Sequence, residues 1–373
     1  MKIIHLASGD LWAGAEVQLF HLAVKLHELY GIHLLVVLLN HGQLEQELIE
    51  KGIAVTVLDE SKLSGFSILL EFYHIVKLFQ PDIVHTHRSK ENVIGGIVAR
   101  LNGKKSVRTV HGASEFSIRP FNLKRFVFDG ADRLAGFFLQ QKIISVSDEL
   151  KQKMKKIYPD SKLAVIENCV DVEYIEKKSL KPCNHDIDKN NFNIAFIGRF
   201  VPVKRVDIFY SIAKSVISNS EHEMIHFHMI GDGPLKKNID DMLLSDKLTK
   251  NIHLYGFIEN TAPLLKNMNL LIFTSDHEGL PMTLLEAMTL GVPVLSRNLP
   301  SICEVLCSGE CGYFIKSDNV SDYADIIEHI MTNGEEARNK IKMARQQITD
   351  KYNIDSNIKK YENLYKEVTG VEH

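Results

Sequence analysis

Alternation constrains this fold most: strand-length apolar runs are separated by helix-length amphipathic segments along nearly the whole chain. In the first half the runs are KIIHLAS (2–8), HLLVVLL (33–39), AVTVLD (54–59), DIVHTH (82–87), SVRTVH (106–111), KIISVS (142–147) and KLAVIEN (162–168). Helical patterns fill several gaps, for instance Ala15 to Tyr30 and Gln43 to Lys51. Strand–helix alternation with such apolar strands predicts a parallel sheet covered on both faces. Between Val172 and Asn191 the chain turns polar and lysine-rich, which reads as a linker. Alternation then restarts with FNIAFIG (192–198), IHFHMIG (225–231), NIHLYG (251–256), LLIFTS (270–275), VPVLS (292–296) and GYFIK (312–316). The expectation is an α/β protein of two doubly wound domains, 1–171 and 192–350, joined by a linker at 172–191. A last segment, 351–373, has helical spacing at Ile354, Ile358, Tyr361 and Leu364.

Length and charge agree with this and narrow the function. A chain of 373 residues can hold two cores. A formal net charge of −3 makes no global electrostatic case for nucleic acid. No apolar run reaches the roughly 18 residues that argue for a membrane span. The first residues, MKIIHLASGD, read as a strand entering a glycine turn rather than a signal peptide. Five cysteines, an odd number in a long chain, argue for a reducing cytosol. Cys303, Cys307 and Cys311 would share a face only if one helix ran through them, and they lack the paired spacing of common zinc sites. No metal is expected there.

The stretch SDHEGLPMTLLEAMTLGVPVL (275–295) carries the chemistry. A buried strand runs into the polar turn Asp276-His277-Glu278-Gly279, then into a helix with Pro281 at its first position and Gly291 just past its end. Strand, tight turn and helix N-terminus form an anion site, with the N–H groups of Met282, Thr283 and Leu284 at the positive end of the dipole. Glu278 lies in the turn and Glu286 eight residues on, inside the helix. A carboxylate is a natural acceptor for vicinal sugar hydroxyls. A diphosphate with a hydroxylated ring at each end, a nucleotide sugar, fits this layout; the plain alternative is a solvated loop residue and a surface helix residue.

These residues resemble the family-4 retaining glycosyltransferases, which have the GT-B fold and the signature E-G-x-P-x-x-x-x-E-A-x-x-x-G-x-P-V. Every listed position of that signature is matched. The resemblance implies two Rossmann-like domains facing each other across a cleft, with 351–373 crossing back to the first. It implies that Glu278 binds the donor sugar, that Glu286 binds the ribose, and that backbone near Gly279, Leu280 and Thr283 to Leu285 holds the diphosphate. The run from Gly198-Arg199 to Lys204 is similar to the family's G-R-x-x-x-x-K, whose cations would neutralise a diphosphate leaving group. Gly231 opens another turn after a strand, and Phe257-Ile258 is where the resemblance places the nucleobase. Glu304 looks like the glutamate that follows the donor pocket in relatives. In the first half, Gly14 with Glu16 looks like a G-G-x-E element, with Ala13 in place of the first glycine. Thr109-Val110-His111-Gly112 looks like the element that touches the donor sugar, and Asn168 to Asp171 like the hinge N-G-V-D, with Cys169 for glycine. His85 and His87, one face of one strand, could in principle bind metal; similar D-x-V-H-x-H sequences in the family do without it, so they read as structural or cleft-edge residues.

The acceptor side is harder to read. Between Arg100 and Lys142, basic residues (Arg100, Lys104, Lys105, Arg108, Arg119, Lys124, Arg125, Arg133, Lys142) outnumber Glu115, Asp129 and Asp132, and phenylalanines 116, 121, 126, 128, 137 and 138 are interleaved. That mixture suits an anionic membrane surface, or else a core with a solvated face. The expected activity is retaining, metal-independent hexosyl transfer without a cofactor, from a nucleoside-diphosphate sugar (UDP favoured) to a glycan or lipid-linked acceptor in cell-surface polysaccharide or lipopolysaccharide synthesis. Its expected place is cytoplasmic, peripheral on the inner face of the membrane. His111, Arg199, Lys204 and Glu278 are the expected catalytic residues. A GT-B nucleotide-sugar epimerase and a non-catalytic nucleotide-sugar-binding protein are the rivals.

Overall fold

The structure is a computed structural model that describes residues 1–29, 31–112, 123–183, 185–219, 224–317 and 319–370; the side chains of 123–127 and 219 lie outside that description. Among the described residues thirteen strands appear where the apolar runs fall: β1 Lys2–Ala7, β2 His33–Leu38, β3 Ala54–Val57, β4 Ile83–His87, β5 Lys105–Val110, β6 Lys142–Ser145, β7 Leu163–Val165, β8 Phe192–Ile197, β9 Ile225–Ile230, β10 Ile252–Gly256, β11 Leu270–Phe273, β12 Val294–Arg297 and β13 Tyr313–Ile315. They form two all-parallel sheets, ordered β3-β2-β1-β4-β5-β6-β7 and β10-β9-β8-β11-β12-β13. Each order reverses once, between β1 and β4 and between β8 and β11. Such a reversal opens a crevice at the carboxyl ends of the two neighbouring strands.

The chain divides into two compact units, Met1–Cys169 with the segment from Tyr352 on, and Val170–Lys351. Within the first unit, Phe72, Val76 and Ile68 of the helix Gly65–Phe79 pack on Ile4, Leu6, Val37 and Val84 of the sheet. The helix Ile354–Thr369 belongs to that unit as well: Lys360 pairs with Glu167 at 2.7 Å and Lys25 with Asp355 at 2.7 Å. In the second unit, Phe209, Ile212 and Val216 of the helix Val206–Asn219 pack on Ile194, Phe196 and Phe227.

Three expectations change. The polar stretch 172–191 is not linker throughout: it opens with the helix Val172–Ser179, whose N-terminal N–H of Tyr174 is capped by Asp171 at 2.9 Å and whose Ile175 is buried. The helix bearing Cys303 stops at Val305, before the glycines expected to end it, because Cys307 and Ser308 take left-handed φ of 48° and 53°. Arg108 is no surface cation. It is fully buried on β5, bonds Asp132 at 2.7 Å and reaches the Tyr158 hydroxyl. Desolvation raises the Asp132 carboxyl while Arg108 pulls it back down, as expected of a charge buried with its partner.

Candidate functional site

In the second unit the site grows from the reversal between β8 and β11. The chain leaves β8 at Gly198, makes the short 3₁₀ turn Pro202–Lys204, and is clamped to the turn leaving β11. The Asp276 N–H bonds the Val203 carbonyl at 2.9 Å and the Thr274 hydroxyl donates to the Lys204 carbonyl at 2.9 Å. These backbone ties bring two side chains 74 residues apart into contact: the Lys204 ammonium meets both oxygens of Glu278, at 2.6 and 2.8 Å. The Ser275 hydroxyl donates to the same carboxylate at 2.6 Å, and only 7% of the Glu278 side chain is exposed. Arg199 is exposed on the same turn.

The helix after this turn is Met282–Leu290, with Gly291 left-handed just past its end (φ 75°). Pro281 is the N-cap, one position earlier than expected, because its ψ of 129° is extended. The Leu284 N–H, expected to face outward, bonds the Pro281 carbonyl at 3.2 Å as the first turn tightens. Met282 and Thr283 head the helix. The side chains of Leu280, Met282, Leu284 and Leu285 are core, so their share in any ligand site is backbone only. Gly279 and Thr283 are half-buried. Glu286 is half-buried one turn further on; desolvation pushes its carboxyl up to about 7, with Lys178 holding it back.

Gly231 (φ 143°) has a packing reason that needs no ligand: a Cβ there would lie 1.9 Å from the Gly198 carbonyl oxygen, so the turns after β8 and β9 touch backbone to backbone. Phe257 is exposed and Ile258 half-buried just after β10. Glu304 pairs with Lys351 at 2.7 Å.

In the first unit the reversal lies between β1 and β4. Gly14 begins the helix Gly14–Glu28, and the buried Glu16 of its first turn is paired with Arg88, the residue after β4, which also lies 3.8 Å from Asp10. Beside them stands a column of imidazoles. His5 Nδ1 and His87 Nε2 are 2.9 Å apart, and His87 Nδ1 and His111 Nε2 3.2 Å. His85 bonds the Tyr365 hydroxyl at 2.6 Å and the Thr109 hydroxyl at 2.8 Å. Burial keeps all four rings neutral: His5 and His111 are lowered to about 3, His111 with help from Arg88, and His85 and His87 fall well below the usual imidazole range. Among the described residues, His5, His85 and His87 have the spacing to hold a metal ion, their ligand atoms within 4.8 Å of one another. Both nitrogens of His85 and of His87 are engaged in the hydrogen bonds above.

The family model for Glycosyltransferase Family 4 matches residues 12–174, and that for Glycosyl transferases group 1 matches 178–347. The chain belongs to this glycosyltransferase family. It is 28% identical over 312 residues to the UDP-Gal:alpha-D-GlcNAc-diphosphoundecaprenol alpha-1,3-galactosyltransferase of Escherichia coli, covering 82% of this chain and 80% of that one. It is 25% identical over 317 residues to the capsular polysaccharide biosynthesis glycosyltransferase CapM of Staphylococcus aureus (80% and 81% covered). Among solved structures, Anabaena HepE in complex with UDP-glucose superposes with a TM-score of 0.81 at 17% identity, covering 98% of this chain and all of that one. The fold is therefore GT-B.

In this glycosyltransferase the turns described above are also held by residues that the motifs did not reveal. Arg297, at the end of β12, bonds Asp276 at 2.6 Å, and Arg205 reaches the same carboxylate at 3.4 Å, so both brace the Glu278 turn. Arg88 and His5 act over 72 and 82 residues of chain, distances that no local pattern reports. Lys178, which tunes Glu286, sits in the stretch read as linker.

Proposed function

We propose that this glycosyltransferase transfers a hexose-type sugar, with retention and without a metal ion, from a UDP-sugar to a lipid-linked or glycan acceptor in cell-surface polysaccharide or lipopolysaccharide synthesis. The observation that carries the reading is the Lys204–Glu278 pair at the β8/β11 reversal, beside the head of the Met282–Leu290 helix. In the free protein each charge neutralises the other. An incoming diphosphate would take Lys204, joined by Arg199 and the N–H groups of Met282 and Thr283, and so release Glu278 to accept hydrogen bonds from sugar hydroxyls. Negative charge grows on the departing diphosphate, and those fixed donors oppose it in the transition state. The leaving phosphate would take the acceptor's proton. His111, held neutral, would orient the sugar as a hydrogen-bond partner. The galactosyltransferase relative, whose name specifies UDP-Gal and a diphosphoundecaprenol-linked acceptor, supports uridine and a lipid-linked acceptor.

The test is thermal shift with UDP-, GDP- and ADP-sugars, with and without Mg²⁺, followed by transfer assays. Stabilisation by one of them, indifferent to metal and lost in Glu286→Ala, supports the reading; no stabilisation by any of them overturns it. Glu286 adds a pH dependence. Its carboxylate form accepts the ribose hydroxyls, and its value is about 7, so donor affinity should level off above pH 8 and fall about tenfold per unit below 7. Calorimetry with UDP-glucose between pH 5.5 and 8.5 checks this, because its diphosphate has no terminal group titrating near pH 6. Glu286→Gln should flatten the profile.

We also propose membrane docking through 100–142. Leu134, Phe137 and Phe138 are 60%, 46% and 69% exposed on the helix Leu123–Phe138, and Arg100, Leu101 and Lys105 of the same stretch are exposed as well. Phe116, Phe121 and Arg119 lie outside the described residues, and no helix among the described residues is long and apolar enough to cross a membrane. Co-sedimentation with phosphatidylglycerol vesicles at low salt should be strong for the wild type and largely lost in Phe137→Asp/Phe138→Asp. Equal sedimentation of the two would remove the proposal.

A further inference from the structure

The turn that ends the helix Pro300–Val305 brings two thiols together. After Leu306 the chain coils back on itself: the Leu306 carbonyl accepts the N–H groups of Gly309 and Cys311 at 2.9 and 3.1 Å, and the Cys307 carbonyl accepts that of Glu310 at 3.2 Å. Cys307 and Ser308 are held left-handed, with φ of 48° and 53°, a conformation strained for any residue with a Cβ. In this tight turn the Cys311 thiol is hydrogen-bonded to that of Cys307, whose sulfur lies 3.9 Å from the Val305 carbonyl. Cys303, on the helix before the turn, is engaged elsewhere: its thiol donates to the Asn298 side chain at 2.5 Å.

The two thiols differ in access. Cys311 is buried just before β13, while Cys307 is half-buried. Desolvation, and then the bond to Cys307, pushes the Cys311 thiol up to about 12, so by itself it is a poor nucleophile. The Lys340 ammonium, bonded to the Gly309 carbonyl, favours a Cys311 thiolate, and Glu310 opposes it; Glu336 lies 3.6 Å from Lys340. An accessible thiol with a second one beside it is the layout of a redox-sensing pair, one cysteine reacting first and the other resolving the product.

We propose that Cys307 and Cys311 are a reversible redox pair that closes to an intramolecular disulfide by exchange with a small disulfide of the glutathione type. The Cys307 thiolate attacks one sulfur of oxidised glutathione, a mixed disulfide forms at Cys307, and the first glutathione leaves with the Cys307 proton. Cys311 then attacks the Cys307 sulfur, the mixed bond breaks, and the second glutathione leaves with the Cys311 proton. Two protein thiols are oxidised and one glutathione disulfide is reduced to two thiols. A disulfide of about 2 Å is much shorter than the separation of hydrogen-bonded thiols, so closure must tighten the turn. Because Cys311 is buried, the movement falls on Cys307 and on the end of the helix Pro300–Val305. Near the start of that helix the Ser301 hydroxyl donates to the Glu278 carbonyl at 3.1 Å, so oxidation should disturb the Glu278 turn and weaken donor binding. This second half rests on the proposed donor role of Glu278; the disulfide does not.

The whole protein, reduced and then exposed to oxidised glutathione, should lose two hydrogens in intact mass. Cleavage after Glu304 and Glu310 puts Cys303, Cys307 and Cys311 on separate peptides, so a link between Cys307 and Cys311 can be read directly. Cys311→Ser should stop at a glutathione adduct on Cys307, and Cys307→Ser should stay unmodified at Cys311. Calorimetry with UDP-glucose should give several-fold weaker binding for the oxidised wild type, restored by dithiothreitol, and no change on the same treatment in Cys307→Ser. A link from Cys303 to either partner, a wild type that yields only an adduct or none, or adducts spread equally over Cys183, Cys303 and Cys307 overturns the pair. Equal affinities of the oxidised and reduced wild type overturn only the coupling to Glu278. Reduced protein that binds no UDP-glucose overturns the donor reading and the coupling with it, while the disulfide stands.

Discussion

Lys204→Ala is expected to lower kcat/KM for sugar transfer by roughly 10²- to 10³-fold, about 3–4 kcal/mol, the usual cost of removing one fixed donor from a developing anion. The ammonium lies 2.6 and 2.8 Å from the two oxygens of Glu278, so the substitution removes the phosphate contact and also strips a carboxylate that is only 7% exposed of its cation. Ser275 would still hold Glu278 at 2.6 Å, and the turn would still be tied by Asp276 to Val203 and braced by Arg297. The second unit should therefore fold, and the loss should fall on catalysis and diphosphate affinity. Lys204→Arg should not rescue it. A planar guanidinium pairs bidentately with a carboxylate and would compete with the phosphate for Glu278 instead of yielding to it. Steady-state assays with saturating donor, alongside calorimetry with UDP, separate the kcat effect from the binding effect. A Lys204→Ala enzyme within threefold of wild type would show that the pair is only structural.

The parts of this molecule that could be read in the sequence are those whose signal is local. Buried parallel strands are apolar on both faces, so LLVV in β2 and LLIF in β11 announce themselves without knowledge of their neighbours. Turn chemistry is local too: Gly291 sits left-handed where a helix was expected to end, and the Glu278 turn follows its strand as the motif required. What stayed hidden depends on partners far away in the chain. Arg108 reads as one more cation in a basic stretch until β5 is threaded through the core and Asp132 comes to meet it 24 residues on. The Val172–Ser179 helix lies in a polar, lysine-rich stretch, and its local signals were the Asp171 cap and the buried Ile175. Leu280, Met282, Leu284 and Leu285 match the signature by position, yet their side chains are core, so the pattern marks a backbone surface rather than a set of contacts.

Acid should destabilise the first unit steeply, and the histidine column is the reason. His5, His85, His87 and His111 are neutral in the folded protein because burial lowers each of them, His5 and His111 to about 3. In the unfolded chain all four return to about 6.5. The unfolded state therefore binds more protons whenever the pH is below 6.5, and stability falls as pH falls, with little change above 7.5. At pH 5.5 each exposed imidazole contributes about 1.4 kcal/mol to unfolding, so the four together cost about 5–6 kcal/mol, a large part of what a domain of this size has. In the second unit the like is expected chiefly of His228, lowered to about 3; His226 on β9 and His253 on the edge strand β10 are also lowered by burial. Urea unfolding followed at pH 8, 7, 6 and 5.5 should show the steeper loss in the transition that reports the first unit, with a slope approaching four protons per molecule. Amide exchange on β1, β4 and β5 identifies that transition. A midpoint unchanged between pH 8 and 5.5 would mean that the column takes up protons without unfolding, and the four imidazoles could not then be as buried and as tightly hydrogen-bonded as their 2.6 to 3.2 Å contacts describe.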